Sequence, residues 1–248
     1  MLARGVPVTL CTGRMYSGTR PVAEYLGLTA PVACVDGCHV VEPGTHQSLL
    51  RLPIPDAASA ALHTLLSPTD LAVFAFSGDI ITYDTRGRAY LEYLSTWSTQ
   101  MCKVADIFEP SNWTSLEAPT ALVAIGSQAS TQSIVQGVNA TLDPAVQLAH
   151  FPLLRGHVVN TWVLLVRRAG VNKGTAVTWL AEHFGISLSE VIVIGDWVND
   201  IPMFAVAGQS FVMGQAPPEV KAAANNELRA TVHTGGAIAE AAERCGLI

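Results

Sequence analysis

The chain has 248 residues, half of them hydrophobic and only 14% charged, a composition that excludes disorder as the general state. Fourteen basic residues against twenty acidic ones give a net charge of −6, and with no Lys/Arg block a nucleic-acid-binding surface is excluded too. No apolar run approaches the roughly 18 residues of a membrane span, and no apolar stretch after Arg4 makes a signal peptide, so the expectation is a soluble, cytoplasmic protein with neither nucleic acid nor membrane as partner.

Val6-Pro7-Val8-Thr9-Leu10-Cys11 is a short apolar run bounded by Gly5 and Thr12-Gly13, which predicts a buried parallel strand. Residues 21–26 predict a helix stopped by Gly27, and residues 31–35 a second strand ending at Asp36-Gly37. Pro43-Gly44 and Pro53-Ile54-Pro55 then mark a change of texture. Residues 56–66 predict an amphipathic helix, and residues 71–83 a strand pair turning at Ser77-Gly78-Asp79. Residues 121–125 and 162–166 are further strand candidates, with a helix near residues 132–139 between them. Asn172 or its neighbours cap a helix carrying Val177, Leu180, Ala181 and Phe184, with Gly185 in the C-terminal glycine position. Residues 191–194 are the clearest strand, followed by a short helix over residues 201–207 with Pro202 in its first turn. Strand–helix alternation at both ends predicts a doubly wound, Rossmann-like parallel α/β core. The expected division is core over residues 1–52 and 167–248, with an inserted α/β domain over residues 53–166.

In an open α/β sheet, ligands bind beyond the carboxyl ends of the strands. Three polar clusters land there: Thr12-Gly13-Arg14, Asn172-Lys173-Gly174, and Gly195-Asp196-Trp197-Val198-Asn199-Asp200. Asp196 and Asp200 offer hard carboxylate oxygens across a tight loop, which suits a Mg²⁺ that keeps several waters. Asn199 adds a carbonyl or orients a carboxylate. Lys173 supplies a mobile positive charge and Thr12 a hydroxyl beside strand-end amides, a set that suits a phosphoryl group. Singly, Asp200 reads as a helix N-cap and Lys173 as a solvated surface residue; their joint placement at one sheet edge favours a site. The five scattered cysteines (Cys11, Cys34, Cys38, Cys102, Cys245) imply no disulfide framework, and Cys34, Cys38 and His39 match no common zinc spacing.

Leu10-Cys11-Thr12-Gly13-Arg14, Val171-Asn172-Lys173-Gly174-Thr175 and the stretch from Ile194-Gly195-Asp196 through Asn199-Asp200 to Met203 resemble the second, third and fourth motifs of the haloacid dehalogenase superfamily. The branch most resembled is the Cof-like phosphatases, which carry a large α/β cap of the type IIB kind. The likeness covers residues 1–40 and about 167–224; over the middle it is one of length and position. It implies a Mg²⁺-dependent phosphatase of small phosphorylated metabolites, sugar phosphates among them. By the same resemblance Thr12 and Gly13 bind the transferring phosphoryl group and Lys173 neutralises it. Asp196 binds Mg²⁺, with Asn199 and Asp200 completing or positioning its shell. Arg14 has two open readings, facing the substrate or pairing within the core. Trp197 would line the rim, Gln215 stands where the family has Asn, and Tyr83, Tyr90, Tyr93 and Trp97 are candidates for cap-borne specificity or for cap core.

The family's first motif, Asp-x-Asp-Gly-Thr, carries the nucleophile that forms an aspartyl-phosphate and lies upstream of the Thr-Gly-Arg element. Only eleven residues precede Thr12, none of them Asp. The expectation is therefore that the strand bearing the nucleophile is missing from these 248 residues, and that Met1 to Gly5 is the end of a preceding helix. Val35-Asp36-Gly37 lies after Thr12 and lacks the paired Asp; it reads as a turn, with a substrate-side polar contact as the lesser alternative. The competing reading is a non-catalytic relative that binds a phosphorylated ligand. A nucleotide-dependent dehydrogenase is disfavoured because no Gly-x-Gly-x-x-Gly follows a strand. Oligomeric state and substrate identity are not legible.

Overall fold

The computed structural model describes residues 1–142, 144–153 and 160–248. Residues 2–4 form one turn of 3₁₀ helix closed by Gly5 at φ 74°. Residues 6–11 are extended, but they do not form a full strand. Their single ladder contact among the described residues is a parallel bridge from Cys11 to Ala33.

Helix α1 (Tyr16–Tyr25) begins five residues earlier than Pro21 suggested. Proline lacks an N–H, which leaves the Ser17 carbonyl without its helical partner; the Thr99 hydroxyl donates to that carbonyl instead, at 3.2 Å. Strands β1 (Val32–Cys34), β2 (His39–Val41) and β3 (Ser48–Arg51) form an antiparallel three-stranded sheet.

The chain then enters a separate sheet. In order come α2 (Asp56–Leu66), β4 (Ala72–Ser77), β5 (Ile80–Tyr83), α3 (Leu91–Leu94), β6 (Met101–Lys103), α4 (Pro110–Ser115), β7 (Ala121–Ser127), α5 (Gln128–Thr141), β8 (Val146–Pro152) and β9 (Thr161–Arg168). The six strands are ordered β6-β5-β4-β7-β9-β8. Gly78 and Asp79, at φ 54° and 66°, make the two-residue hairpin turn between β4 and β5, where positive φ matches the twist of the strands. Side chains alternate between the two faces. Val73, Ala75, Leu122, Ala124, Leu164 and Val166 face α2 and α5, whereas Phe74, Phe76, Val123, Val163 and Leu165 face Met15, Tyr16 and Val32 of the first unit.

The chain returns as α6 (Lys173–Phe184), β10 (Ile192–Gly195), α7 (Ile201–Val206), β11 (Gln209–Val212), α8 (Pro218–Ala223), β12 (Asn226–Glu227) and α9 (Ala237–Arg244). Strands β10, β11 and β12 are parallel. Val193 and Val212 pack toward α6, α7 and α8, and Ile192, Ile194 and Phe211 toward α9, so helices cover both faces. The molecule is a Rossmann-like α/β core with an inserted α/β cap. No helix among the described residues is long and apolar enough to cross a membrane.

Between residues 6–11 and β10 lies an apolar cleft of about 730 Å³. Val8 and Leu10 stand on one wall, Ile192 and Ile194 on the other, with Leu180 and Phe184 of α6 closing one side. Leu2, Ile186, Val232 and Ile238 are exposed large hydrophobics, three of them (Ile186, Val232 and Ile238) on the cleft wall itself.

Candidate active site

The expected site residues gather at the carboxyl ends of residues 6–11 and β10. The Thr12 N–H donates to the Ala33 carbonyl at 2.8 Å, and the Thr12 carbonyl accepts from the Asp36 N–H at 2.9 Å, which fixes the turn. Thr12 Oγ1 accepts from the Arg14 N–H at 3.2 Å. Gly13 lies against Asp36, since a Cβ there would come within 3.4 Å of Asp36 Oδ1. The Arg14 side chain is exposed and has no ion-pair partner among the described residues.

Lys173 opens α6. Asn172 caps that helix, its Oδ1 accepting from the N–H groups of Gly174 and Thr175, and Thr175 returns the contact in a capping box. Neither single-residue reading of Lys173 or Asp200 holds. Lys173 is 8% exposed, and its Nζ lies 2.6 Å from Asp200 Oδ1. Burial alone would lower the Lys173 pKa, but the charge and hydrogen bond of Asp200 outweigh it and hold it above the ordinary lysine value. Asp200, 3% exposed, makes no side-chain cap on α7. Its Oδ2 accepts from the N–H groups of Asp196 at 2.8 Å and Trp197 at 3.0 Å. Asp200 thus ties the acidic loop to the lysine.

Two glycines permit this. A Cβ on Gly195 would sit 2.6 Å from Asp200 Cγ, and one on Gly174 would sit 2.4 Å from the Pro202 carbonyl oxygen.

Asp196 is partly exposed, and its Oδ2 accepts from Gln215 Nε2 at 3.0 Å. The Val232 N–H holds the other end of that amide through Gln215 Oε1 at 3.1 Å. Asn199 Nδ2 donates to Asp36 Oδ1 at 2.9 Å. Trp197 is 56% exposed beside this loop. Mg²⁺ takes near-octahedral oxygen ligands, keeps several waters and needs only one or two carboxylates. Asp196 retains an uncommitted carboxylate oxygen and Asn199 its carbonyl, so the residues meet that minimum. Asp200 has both oxygens engaged. Among the described residues no cluster of three or more His, Cys, Asp or Glu forms a closed metal cage.

Three further residues shape the site. Asp36 sits in the expected turn, but it is buried and paired with Arg167, which projects from β9 of the cap sheet. Val35, Asp36 and Gly37 lie at φ 50°, 51° and 103°. Left-handed φ at a non-glycine residue costs on the order of 1–3 kcal/mol and clusters at functional sites; a β-branched Val there is a marked outlier. Arg167 carried no local signal, because its partner lies 131 residues away; Gln215 stood out only as a replacement for the family's Asn, and its bond to Asp196 spans 19 residues.

The comparison with known proteins decides the family. The haloacid dehalogenase-like hydrolase family pattern matches residues 1–241. The chain belongs to that family. This haloacid dehalogenase-like hydrolase is similar to the pyridoxal phosphate phosphatase of Escherichia coli K12, with 26% identity over 234 residues covering 89% of the chain and 80% of the relative. It is also similar to the HMP-PP phosphatase of Serratia proteamaculans strain 568, 26% identical over 226 residues, covering 89% and 76%. Among solved structures, a haloacid dehalogenase-like hydrolase from Bacteroides thetaiotaomicron superposes with TM-score 0.82 at 20% identity, over 98% of this chain and 88% of that one. A sugar phosphatase of subclass IIB superposes with TM-score 0.74 at 18% identity, over 100% and 88%. The structural likeness is one of fold, and the enzyme class at family level is a phosphatase-type hydrolase.

Proposed function

We propose that the chain is the core-and-cap body of a Mg²⁺-dependent phosphatase of small phosphorylated metabolites, sugar phosphates among them. The observation that carries the reading is the continuous link from Lys173 through Asp200 to the Asp196 loop, with Thr12 following residues 6–11, which face β10 across the apolar cleft. Lys173 is held charged and immobile, so it neutralises a phosphoryl group without reorganising. The Thr12 hydroxyl and the Gly13 amide bind phosphoryl oxygens, and exposed Arg14 reaches the rest of the substrate. Asp196, with Asn199, would hold Mg²⁺, which when bound neutralises charge on the transferring group; Asp200 positions their loop.

The aspartyl nucleophile in this reading belongs to a parallel strand seated in the cleft between residues 6–11 and β10, ending beside Thr12 and Asp196. A second reading, a phospho-ligand-binding relative without turnover, draws on one observation. The buried carboxylates at the site, Asp36 and Asp200, have their oxygens engaged by cations, amides and N–H groups. A chromogenic phosphomonoester with Mg²⁺ separates the two. Phosphate release by a chain carrying the additional strand supports the phosphatase; a ligand-dependent rise in Tm without release from that same chain supports the binder.

A further inference from the structure

Asp36 touches three parts of the molecule at once. Its backbone N–H donates to the Thr12 carbonyl at 2.9 Å. One carboxylate oxygen pairs with Arg167 of cap strand β9. The other accepts from Asn199 Nδ2 at 2.9 Å, inside the acidic loop.

An ionised carboxylate is an acceptor only, so the Asn199 side chain must turn its NH₂ toward Asp36. That turns the Asn199 carbonyl oxygen away from Asp36. Without Asp36 the amide has no reason to prefer that orientation. Arg167 and Asp36 are both buried, and Arg167 sits in register with Ala121 and Gln147 in the cap sheet. Asp36 is therefore anchored from the cap, and the strained left-handed turn that carries it persists because its surroundings over-determine it.

We infer that Asp36 is a positioning residue through which the seated cap, by way of Arg167, sets the orientation of the Asn199 amide and so completes the oxygen donors beside Asp196. The inference rests on the proposed cation-assisted reading of the site for its consequence, but its geometry does not depend on turnover. Cap seating and donor geometry become one event. Other cap–core tethers, such as the Arg51–Glu117 ion pair and the contacts of Ser17 with Asp79 and Ser98, touch neither Asp196 nor Asn199.

The test follows the Asn199 side-chain amide by NMR, assigned by its loss in Asn199→Ala, and titrates Mg²⁺ alone by calorimetry. The wild-type amide protons should be protected from exchange. Arg167→Met and Asp36→Asn should lose that protection and weaken Mg²⁺ binding about tenfold, the lower end of the range for partners that orient a metal ligand. Arg167→Lys should restore most of both. Glu117→Gln, which removes another cap–core ion pair, should change neither. If a single variant does not fold for want of its buried partner, the double variant Asp36→Asn, Arg167→Met removes both charges and should show the same loss. Unchanged Asn199 protection in Arg167→Met or in the double variant would overturn the inference, and so would an equal loss in Glu117→Gln. If wild type binds no Mg²⁺, the cation reading of the site fails and the amide protection alone decides whether Asp36 orients Asn199.

Discussion

Lys173 and Asp200 are buried deeply enough that neither charge is stable alone. Breaking such a pair by removing one partner costs roughly 3–5 kcal/mol, whereas removing both can be nearly neutral. Lys173→Met should therefore lower stability by that order, and adding Asp200→Asn should recover most of it in a denaturant double-mutant cycle. Strict additivity would show the two side chains to be uncoupled. Phosphate binding should be lost in both variants. The Lys173 pKa is raised on folding, so the stabilisation is complete below the unfolded lysine value and fades only as pH rises through the higher folded one. Between pH 6 and 9 Lys173 adds no pH dependence. Cys11, in the same cluster, is pushed up to about 12 by burial, against the opposing charge of Lys173. It stays a thiol at neutral pH and is no substitute nucleophile. His39 goes the other way: burial, helped by Arg51, lowers it to about 4. The unfolded chain then takes up a proton below its ordinary value of 6.5 while the folded one does not, so stability falls as pH drops from 6.5 toward 4. The limit is about 3 kcal/mol, less because the ring is partly exposed. Stability of His39→Gln should be flatter across that window in pH-dependent thermal melts.

At the scale of elements, the loop after β10 is a device for bringing Asp200 under the backbone of residues 195–197. Gly195→Ala places a Cβ 2.6 Å from Asp200 Cγ, so either the strand end or the carboxylate must move. The expected cost is about 1–3 kcal/mol, with weakened Mg²⁺ binding in a calorimetric titration at a temperature where the variant remains folded. Unchanged affinity would mean that Asp200 does not set the loop. Asn172→Ala removes a capping box and should cost about 1 kcal/mol, with no effect on Mg²⁺ affinity. These two elements were legible because their determinants are local: an Asn at the cap, Gly185 at φ 65° past the helix end, an apolar β-branched run ahead of Gly195. Helix α2 and the turn at Gly78-Asp79 were legible for the same reason. Residues 6–11 misled because an apolar run announces a strand but not the partners that make it one. The turn at Asp36 was legible, but its burial was not, because its ion pair is closed by a residue on another sheet.

At the scale of the molecule, the cleft between residues 6–11 and β10 interrupts what the flanking geometry would otherwise make one sheet. Cys11 bridges to Ala33 in parallel on one side, and β10 runs parallel to β11 on the other. Both walls are apolar. Backbone N–H and C=O groups beside such a cleft want partners, and edge addition of a strand supplies them while its alternate side chains fill the apolar space. The 248 residues alone should therefore bind a hydrophobic dye in the native state, near Leu10 and Ile194. Extending the chain through Met1 with a strand that ends in acidic residues should abolish dye binding and raise Tm. In the proposed reading it should also bring Mg²⁺-dependent hydrolysis of a chromogenic phosphomonoester, since the carboxyl end of a strand seated in the cleft would lie near Thr12 and Asp196. Each readout answers a different link. Dye binding that persists in the extended chain would show that the strand does not occupy the cleft. A raised Tm without hydrolysis would keep the strand and favour the ligand-binding reading. Hydrolysis by the 248 residues at the rate of the extended chain would mean that a nucleophile already lies within them, and the assignment of that role to an added strand would be wrong.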